Sequence, residues 1–295
     1  MFILNLYIIL VMLLITLLII IAKKYYNILS KEHFTTDNKI CCLYAYYEKD
    51  NLYKQNFEYF LNNGILNNVD YYIIINGECS INIPEKENIK IFKRENKGYD
   101  FGAYSYAIKQ INKINQINKS YDYYFFLNTS VCGPYLKNSN TPWTDYFLKL
   151  FNKKNVKLVG TSINIFNHNK FSNYDLVKLY TKQQPFTHIQ SMFFCMDNEY
   201  FNYLINKDFF NEDDLNNAPN IDYIIAHKEV GLSQHALNNN WNINCILPKY
   251  KNIDYINLKN DINSTSNNGD AYYPGAYFGS TIDKYDAIFY KNNRF

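Results

Sequence analysis

The chain combines 295 residues with a formal net charge of +3 at pH 7, and its lysines and arginines are scattered along the sequence. So mild and dispersed a charge argues against a nucleic-acid-binding protein. The 30 tyrosines and 21 phenylalanines supply enough aromatic surface for a large core. We therefore expect one globular domain.

Residues 2–22 carry no charged side chain, and as a helix this run is long enough to cross the roughly 30 Å hydrocarbon core of a bilayer. The run begins at the N-terminus and ends at Lys23 and Lys24, which favours a retained anchor over a cleaved signal peptide. We predict a single-pass membrane protein with a transmembrane anchor at 1–22, a stem at 23–38 and the domain at 39–295. The side of the membrane stays open, because the basic flank favours a cytoplasmic domain whereas a secretory-pathway enzyme needs the opposite orientation.

Strand and helix patterns alternate in the first half of the domain. The predicted elements are strands at 39–47 and 71–75 enclosing a helix near 52–61, then a strand at 89–93, a helix at 99–114 and a strand at 122–127. Strands at 156–165, 189–196 and 243–247 follow, with helices near 199–205 and 221–238. This order is typical of an α/β protein with a mainly parallel sheet flanked by helices.

Six cysteines, at positions 41, 42, 79, 132, 195 and 245, show neither a CxxC pair nor the spacing of metal ligands. Four of them lie in predicted strands, so buried thiols are the favoured interpretation. A disulfide between Cys79 and Cys132 stays open and would require an oxidising lumen.

Ligands of open α/β sheets gather at the carboxyl ends of the strands, and four polar segments of this chain follow predicted strands or open a helix. The first is the turn at 94–104, where Gly98 and Gly102 allow close backbone approach and Asp100 can cap the following helix. Exposed amides there suit an anion such as a nucleotide diphosphate. The alternative is an ordinary strand-to-helix turn.

The other three segments carry amides, hydroxyls, a histidine and a carboxylate. Asn128 and Ser130 end a strongly apolar strand. His188 and Gln190 share one strand face by alternation, although such a pair is more often structural. Glu229 stands at or near a helix start, where a carboxylate is either a base or a partner of the helix dipole.

Taken in order, these segments resemble the rhamnan synthesis protein F family of glycosyltransferases, which acts in polysaccharide synthesis. The motifs are Asn96-x-Gly98-Tyr99-Asp100-x-Gly102, Asn128-Thr129-Ser130-x-x-Gly133-Pro134, His188-x-Gln190-Ser191 and Glu229-x-Gly231-Leu232-Ser233. The ending, Tyr273-Pro274-Gly275-x-Tyr277-x-Gly279 with Asp286-x-Ile288-Phe289-x-Lys291, resembles the tails of related polysaccharide and large-virus glycosyltransferases.

The resemblance implies a glycosyltransferase A-like fold, a nucleotide-sugar donor and a glycan, lipid-linked or protein-linked acceptor. It implies donor contacts from Asn96, Gly98, Tyr99, Asp100, Asn128 and Ser130, an acceptor or sugar pocket lined by His188 and Gln190, and Glu229 as the catalytic base. The type of sugar that is transferred, hexosyl or rhamnosyl, stays open.

Transferases of this fold carry a DxD signature whose carboxylates bind Mg²⁺ or Mn²⁺, and this chain has Asn128-Thr129-Ser130 at that place. Neutral oxygens bind such ions weakly, so Asp100 is the candidate metal ligand. The missing carboxylates also motivate an alternative, a catalytically inactive protein that binds glycans or assembles a complex. A membrane-tethered structural protein ranks last, because it does not explain the ordered polar segments.

Overall fold

The computed structural model describes residues 12, 15–21, 23, 38–114, 121–153, 155–166 and 185–294. The chain divides into two units, Met1–Asn38 and Lys39–Phe295. In the first unit, residues 12, 15–21 and 23 are helical. Among the residues that the structure describes, no helix is long and apolar enough to span a membrane. Most of the predicted anchor at 1–22 and of the stem at 23–38 lies outside the described residues.

The second unit is built on a seven-stranded sheet. Its strands are β1 (Ile40–Tyr46), β2 (Val69–Asn76), β3 (Ile89–Arg94), β4 (Tyr123–Asn128), β5 (Val156–Gly160), β8 (Phe193–Asp197) and β9 (Asn242–Cys245). Across the sheet they lie in the order β3-β2-β1-β4-β8-β5-β9. Strands β1, β2, β3 and β4 run parallel, as do β5 and β9, while β8 runs antiparallel between β4 and β5. The predicted mainly parallel sheet is confirmed.

Helices cover the sheet. They are α1 (Asn51–Asn63), α2 (Tyr99–Ile114), α3 (Trp143–Leu148), α4 (Asn198–Asn206), α5 (Glu212–Asn216), α6 (Ile221–Ile224), α7 (Gly231–Asn238) and α8 (Lys284–Ala287). A π-helical segment, Ile225–Val230, joins α6 to α7, so the helix predicted near 221–238 is continuous but changes its winding.

Two predicted strands are each divided. The pattern at 156–165 forms β5 and then β6 (Ile163–Phe166), and the pattern at 189–196 forms β8 preceded by β7 (Phe186–Ile189). Strands β6 and β7 pair with each other as a separate antiparallel sheet. The two sheets come close at Gly160, where a Cβ atom would lie 2.3 Å from Cγ2 of Ile189. A side chain at position 160 would therefore push β5 and β7 apart.

Aromatic side chains fill both faces of the sheet. Tyr44 on β1 packs against Phe60 of α1, with ring centroids 4.7 Å apart. Phe126 on β4, opposite Leu43 and therefore on the other face, meets Tyr104 of α2 at 5.1 Å. Side chains alternate between faces along a strand, so α1 and α2 lie on opposite sides of the sheet. Burial of each such ring contributes roughly 1.5–3 kcal/mol.

All six cysteines are free thiols in the structure, and five of them are buried. Cys79 is partly exposed. Burial raises the pKa of the Cys195 thiol well above its usual range. Buried thiols are therefore confirmed for the sheet cysteines, and no bond joins Cys79 to Cys132.

Candidate functional site

A cleft of about 590 Å³ opens at the carboxyl edge of the parallel strands. It is lined by residues at or after the ends of β1, β2, β3 and β4 and by the first residue of α6: Ala45, Tyr47, Lys49, Tyr53, Asn76, Asn96, Tyr99, Asp100, Asn128, Thr129, Ser130 and Ile221. Its volume is that of a small-molecule site. The first two predicted motifs therefore meet in one cleft, since parallel strands end at the same edge.

The turn before α2 has a left-handed backbone. Gly98 has φ of +68° and Tyr99 has φ of +55°, a conformation uncommon for residues other than glycine. At Gly98 a Cβ atom would lie 2.7 Å from the carbonyl oxygen of Leu215, and at Gly102 one would lie 2.3 Å from that of Lys97. The two glycines thus serve chain packing, and neither is among the residues that line the cleft.

Arg94, at the end of β3, ties this turn to its neighbours. Its Nη1 donates to Oδ1 of Asn76 at 3.1 Å and to the carbonyl of Lys97 at 2.8 Å, and its Nη2 donates to Oδ1 of Asn216 at 3.0 Å. The guanidinium therefore joins β2, the turn and α5. Arg94 is not among the predicted site residues, although a cation at the end of a predicted strand is a signal that the sequence shows.

A direct hydrogen bond joins the first two motifs. Nδ2 of Asn128 donates to Oδ2 of Asp100 at 2.8 Å, and Oδ1 of Asn128 accepts from the Ser130 amide at 3.0 Å and from the Ser130 hydroxyl at 2.6 Å. Burial raises the pKa of Asp100 to about 6, and the nearby charge of Glu229 acts in the same direction. Asp100 is therefore a carboxyl group that titrates close to neutral pH.

Thr129 stands between these residues and is held by the backbone of the β1 end. Its hydroxyl donates to the carbonyl of Tyr47 at 3.3 Å, and its own carbonyl accepts from Nδ2 of Asn56 at 2.9 Å. The side chain is only 2% exposed. The strand end is thus fixed by neutral hydrogen bonds where a DxD sequence would place carboxylates.

Tyrosine rings form an exposed wall of the cleft. Tyr47 is 42% exposed and Tyr99 is 43% exposed. Tyr53 also lines the cleft, and the ammonium of Lys49 lies 5.6 Å from its ring centroid. Large aromatic surfaces left open beside polar groups suit stacking against a planar ring such as a nucleobase.

Glu229 lies in the π-helical segment, a type of winding that recurs at functional sites. Its Oε1 lies 3.2 Å from Nε2 of His188, and its Oε2 accepts from the Ser191 amide at 3.1 Å and from the Ser191 hydroxyl. Burial would raise the pKa of Glu229, but the contacts with His188 and Ser191 and the charge of Lys291 outweigh it and lower that pKa to about 2. Glu229 is therefore ionised at neutral pH.

The third predicted motif divides between two places. His188 contacts Glu229, whereas Oε1 of Gln190 accepts a hydrogen bond from the Ser162 hydroxyl at 2.5 Å. Both side chains are buried, and neither is among the residues that line the cleft. Their assignment to an acceptor or sugar pocket stays a prediction. Ser191, which the motif contains without a role, proves to be the main hydrogen-bond donor to Glu229.

The C-terminal residues return to the end of β4. Tyr290 and Cys132 exchange backbone hydrogen bonds of 2.8 and 2.9 Å, and Nδ2 of Asn292 donates to Oδ1 of Asn56 at 3.0 Å. Between these anchors stands Lys291. Burial and the charge of Arg294 lower the pKa of Lys291, while Asp270, Glu229 and Asp100 act in the opposite direction. The Lys291 ammonium therefore lies within electrostatic range of both carboxylates of the candidate site.

The oxygen atoms at the end of β4 do not suit a divalent cation. Within the described residues, no group of three or more histidine, cysteine, aspartate or glutamate side chains could hold a metal ion. Oδ1 of Asn128 is engaged by Ser130, and Oδ2 of Asp100 is engaged by Asn128. Hard cations such as Mg²⁺ and Mn²⁺ need several free oxygens, usually including carboxylates. The predicted metal role of Asp100 thus lacks supporting ligands around it.

Comparison with known proteins gives distant likenesses only. No family model matches the chain, and no curated protein matches it. Among solved structures it is similar to a glycosyltransferase involved in the glycosylation of the major capsid of PBCV-1, with 15% identity over 64% of this chain and 75% of that one and a TM-score of 0.34.

Two further solved structures show likeness of the same degree. The mannosyltransferase PcManGT from Pyrobaculum calidifontis, solved with GDP-Man and Mn²⁺, has 8% identity over 58% of this chain and 47% of that one, with a TM-score of 0.33. The galactosyltransferase LgtC, in complex with donor and acceptor sugar analogues, has 9% identity over 65% and 71%, with a TM-score of 0.34. Likenesses of this degree do not identify an activity, and the resemblance to the rhamnan synthesis protein F family stays a prediction.

Proposed function

We propose that the protein is a membrane-anchored glycosyltransferase of the glycosyltransferase A-like fold, which moves a sugar from a nucleotide-sugar donor to a glycan, lipid-linked or protein-linked acceptor. One observation carries the proposal. Asn128 contacts Asp100, His188 contacts Glu229, and the charge of Glu229 acts on Asp100 although the two carboxyl groups are more than a hundred residues apart in the sequence. A purely structural role does not call for this concentration of titratable groups beside an open cleft.

The donor occupies the cleft at the carboxyl edge of the sheet. Tyr47, Tyr53 and Tyr99 offer ring faces to the nucleobase, and Asn96 offers an amide beside them. The diphosphate and sugar then lie toward Asn128 and Ser130, at the end of β4. The cleft is large enough for such a donor, and its wall combines stacking surfaces with hydrogen-bonding groups.

We assign Glu229 as the base that takes the proton of the acceptor hydroxyl. A base must be ionised, and the contacts with His188 and Ser191 keep Glu229 ionised at neutral pH. A pKa of about 2 makes it a weak base. An acceptor hydroxyl that takes the place of the Ser191 hydroxyl would donate its hydrogen bond to Oε2, the oxygen that receives its proton during transfer.

A donor screen tests the proposal. Full-length protein is mixed with UDP-, GDP- and dTDP-sugars, and thermal stabilisation is followed by calorimetric titration of any hit. We expect one nucleotide class to stabilise the protein, because a ligand at 100 times its Kd adds about 2.7 kcal/mol to the free energy of unfolding. Binding of that class should weaken in Tyr99→Ala and stay unchanged in Tyr285→Ala, a tyrosine equally exposed on α8. Failure of every donor to bind would contradict the proposal.

The hydrogen bonds of Glu229 also favour one alternative function. Both carboxylate oxygens of Glu229 are already engaged by protein donors, which is also what a purely structural carboxylate would show. The alternative is a protein that binds a nucleotide sugar or a glycan without transfer. Donor binding accompanied by release of free nucleotide and transfer of labelled sugar rejects this alternative, whereas binding without any turnover supports it.

A further inference from the structure

We propose that Lys291, carried by the C-terminal segment 288–292, supplies the positive charge that a divalent metal ion supplies to the diphosphate in DxD glycosyltransferases. The protein would then bind its donor and transfer the sugar without a metal. This inference rests on the proposed function and concerns the same site.

The end of β4 offers a metal ion too few ligands. A DxD sequence would present two carboxylates, but here Asn128 and Ser130 bond to each other and Thr129 bonds to the backbone of Tyr47. The nearby carboxyl group, Asp100, accepts from Nδ2 of Asn128 through Oδ2 and from the Phe101 amide through Oδ1. A hard cation needs several free oxygens, and these oxygens are already engaged by the protein.

A nucleotide-sugar diphosphate is anionic and still needs a countercharge in the cleft. The backbone pairing of Tyr290 with Cys132 and the bond of Asn292 to Asn56 fix the chain on both sides of Lys291. Asn56 in turn holds the carbonyl of Thr129, so the same anchor reaches the end of β4. These contacts hold the backbone of Lys291 beside the end of β4, the strand end at which a DxD sequence would hold a metal ion.

Among the described residues, the ammonium of Lys291 has no bonded partner, unlike the guanidinium of Arg294, the next basic residue along the chain. Arg294 donates to Oδ2 of Asp270 at 3.2 Å and lies 5.2 Å from the ring centroid of Tyr273. Within the described part of the chain, the Lys291 ammonium makes no hydrogen bond and no ion pair, although Asp100 and Glu229 act on its charge. A partly buried ammonium whose charge is influenced by two carboxylates, and whose hydrogen-bond donors are unused, is suited to an anionic ligand.

The positive charge of Lys291 matters most when the bond between the sugar and the diphosphate breaks. The bond between the sugar C1 and the phosphate oxygen breaks with its electron pair leaving on the diphosphate, and the acceptor oxygen forms the new bond to C1. The acceptor proton passes to Glu229, and the released nucleoside diphosphate carries one more negative charge than it had as an ester. Lys291 stabilises that developing charge by hydrogen bonds and Coulomb attraction.

The test is titration of the full-length protein by calorimetry, in EDTA, with UDP, GDP and dTDP and with the matching nucleosides. The variants are Lys291→Met, Lys291→Arg and, as a surface control, the exposed Lys259→Met. We expect the wild-type protein to bind one nucleoside diphosphate in EDTA, with a Kd that added Mn²⁺ changes less than about twofold. Lys291→Met should raise that Kd roughly 10- to 100-fold, as loss of a charge-assisted hydrogen bond does.

Three comparisons separate the possible outcomes. Affinity for the nucleoside should be unaltered in Lys291→Met, and Lys291→Arg should keep most of the diphosphate affinity; an equal loss for nucleoside and diphosphate would show a merely structural role and overturn the inference. Binding that requires Mn²⁺ would overturn the inference and leave the proposed function intact. Absence of binding with and without metal would overturn both. If Lys291→Met fails to fold, the titration of the wild-type protein in EDTA and with Mn²⁺ decides whether the donor binds without a metal.

Discussion

The hydrogen-bonded pair of Asp100 and Asn128 makes a quantitative prediction about stability. Burial raises the pKa of Asp100 from 3.8 to about 6, so ionising this group is costlier in the folded protein than in the unfolded chain. Asp100→Asn keeps an oxygen that can accept from Nδ2 of Asn128 and removes the charge. We expect the variant to be more stable than the wild-type protein at pH 8.

The sign and size of the stability difference follow from the pKa shift of Asp100. Below pH 3.8 the carboxyl is protonated in both the folded and the unfolded state, so it does not affect the free energy of unfolding. Between pH 3.8 and about 6 the unfolded chain releases this proton while the folded protein keeps it, so the free energy of unfolding falls over this range and levels off above it. A shift of about two units corresponds to a ceiling of about 3 kcal/mol in the free energy of unfolding. Solvent access through the cleft and the nearby charge of Lys291 reduce this to about 1–2 kcal/mol.

Urea unfolding of both proteins at pH 4 and pH 8, followed by circular dichroism, measures the difference. The gain in the free energy of unfolding from Asp100→Asn should be about 1–2 kcal/mol at pH 8 and close to zero at pH 4. Asp213→Asn, which removes an exposed carboxylate, is the surface control. A gain that is the same at both values of pH, or a variant less stable than wild type at pH 8, would refute the reasoning.

Three further variants test the turn and the two sides of the site. Gly98→Ala should lower the free energy of unfolding by about 2–4 kcal/mol in urea titration, because φ is +68° and the Cβ would meet the Leu215 carbonyl, whereas Gly77→Ala, with φ of +89° and open space, should lose only about 1 kcal/mol. Equal losses would show that contact with Leu215 does not matter. Tyr99→Ala should weaken nucleotide binding roughly tenfold, as loss of a stacking ring does, and Tyr99→Phe should restore it in the same titration. Glu229→Gln should lower the single-turnover rate of sugar transfer about 100-fold or more with donor affinity unchanged, and a wild-type rate would exclude Glu229 as the base.

Much of the site could be predicted because its first half depends on local patterns. Alternating strands and helices predict a parallel sheet, parallel strands end at one edge, and the residues after β3 and β4 must then lie close together. Asp100 and Asn128 meet for this reason. The motif resemblance placed His188 and Glu229 in the same site, and the structure brings these two into contact as well.

The rest depends on contacts that leave no periodic signal. The apolar run at 189–196 reads as one strand, but the chain turns at Gln190 and Ser191, where side chains bond to Ser162 and Glu229. Lys291 is located by backbone pairing between segments some 150 residues apart, which no local pattern encodes. The tail motif included this lysine, but only the folded chain shows that Asp100 and Glu229 influence its charge.

Transfer of a sugar is the most direct test of the central claim. Full-length protein in EDTA is incubated with the nucleotide sugar selected by binding, labelled in its sugar, and with a panel of glycan and lipid-linked acceptors; labelled product is measured by mass spectrometry beside Glu229→Gln. We predict stoichiometric release of nucleoside diphosphate and labelled acceptor with the wild-type protein, and a loss of about 100-fold or more in the variant. A bound donor that is neither transferred nor hydrolysed, with or without Mn²⁺, would contradict the account.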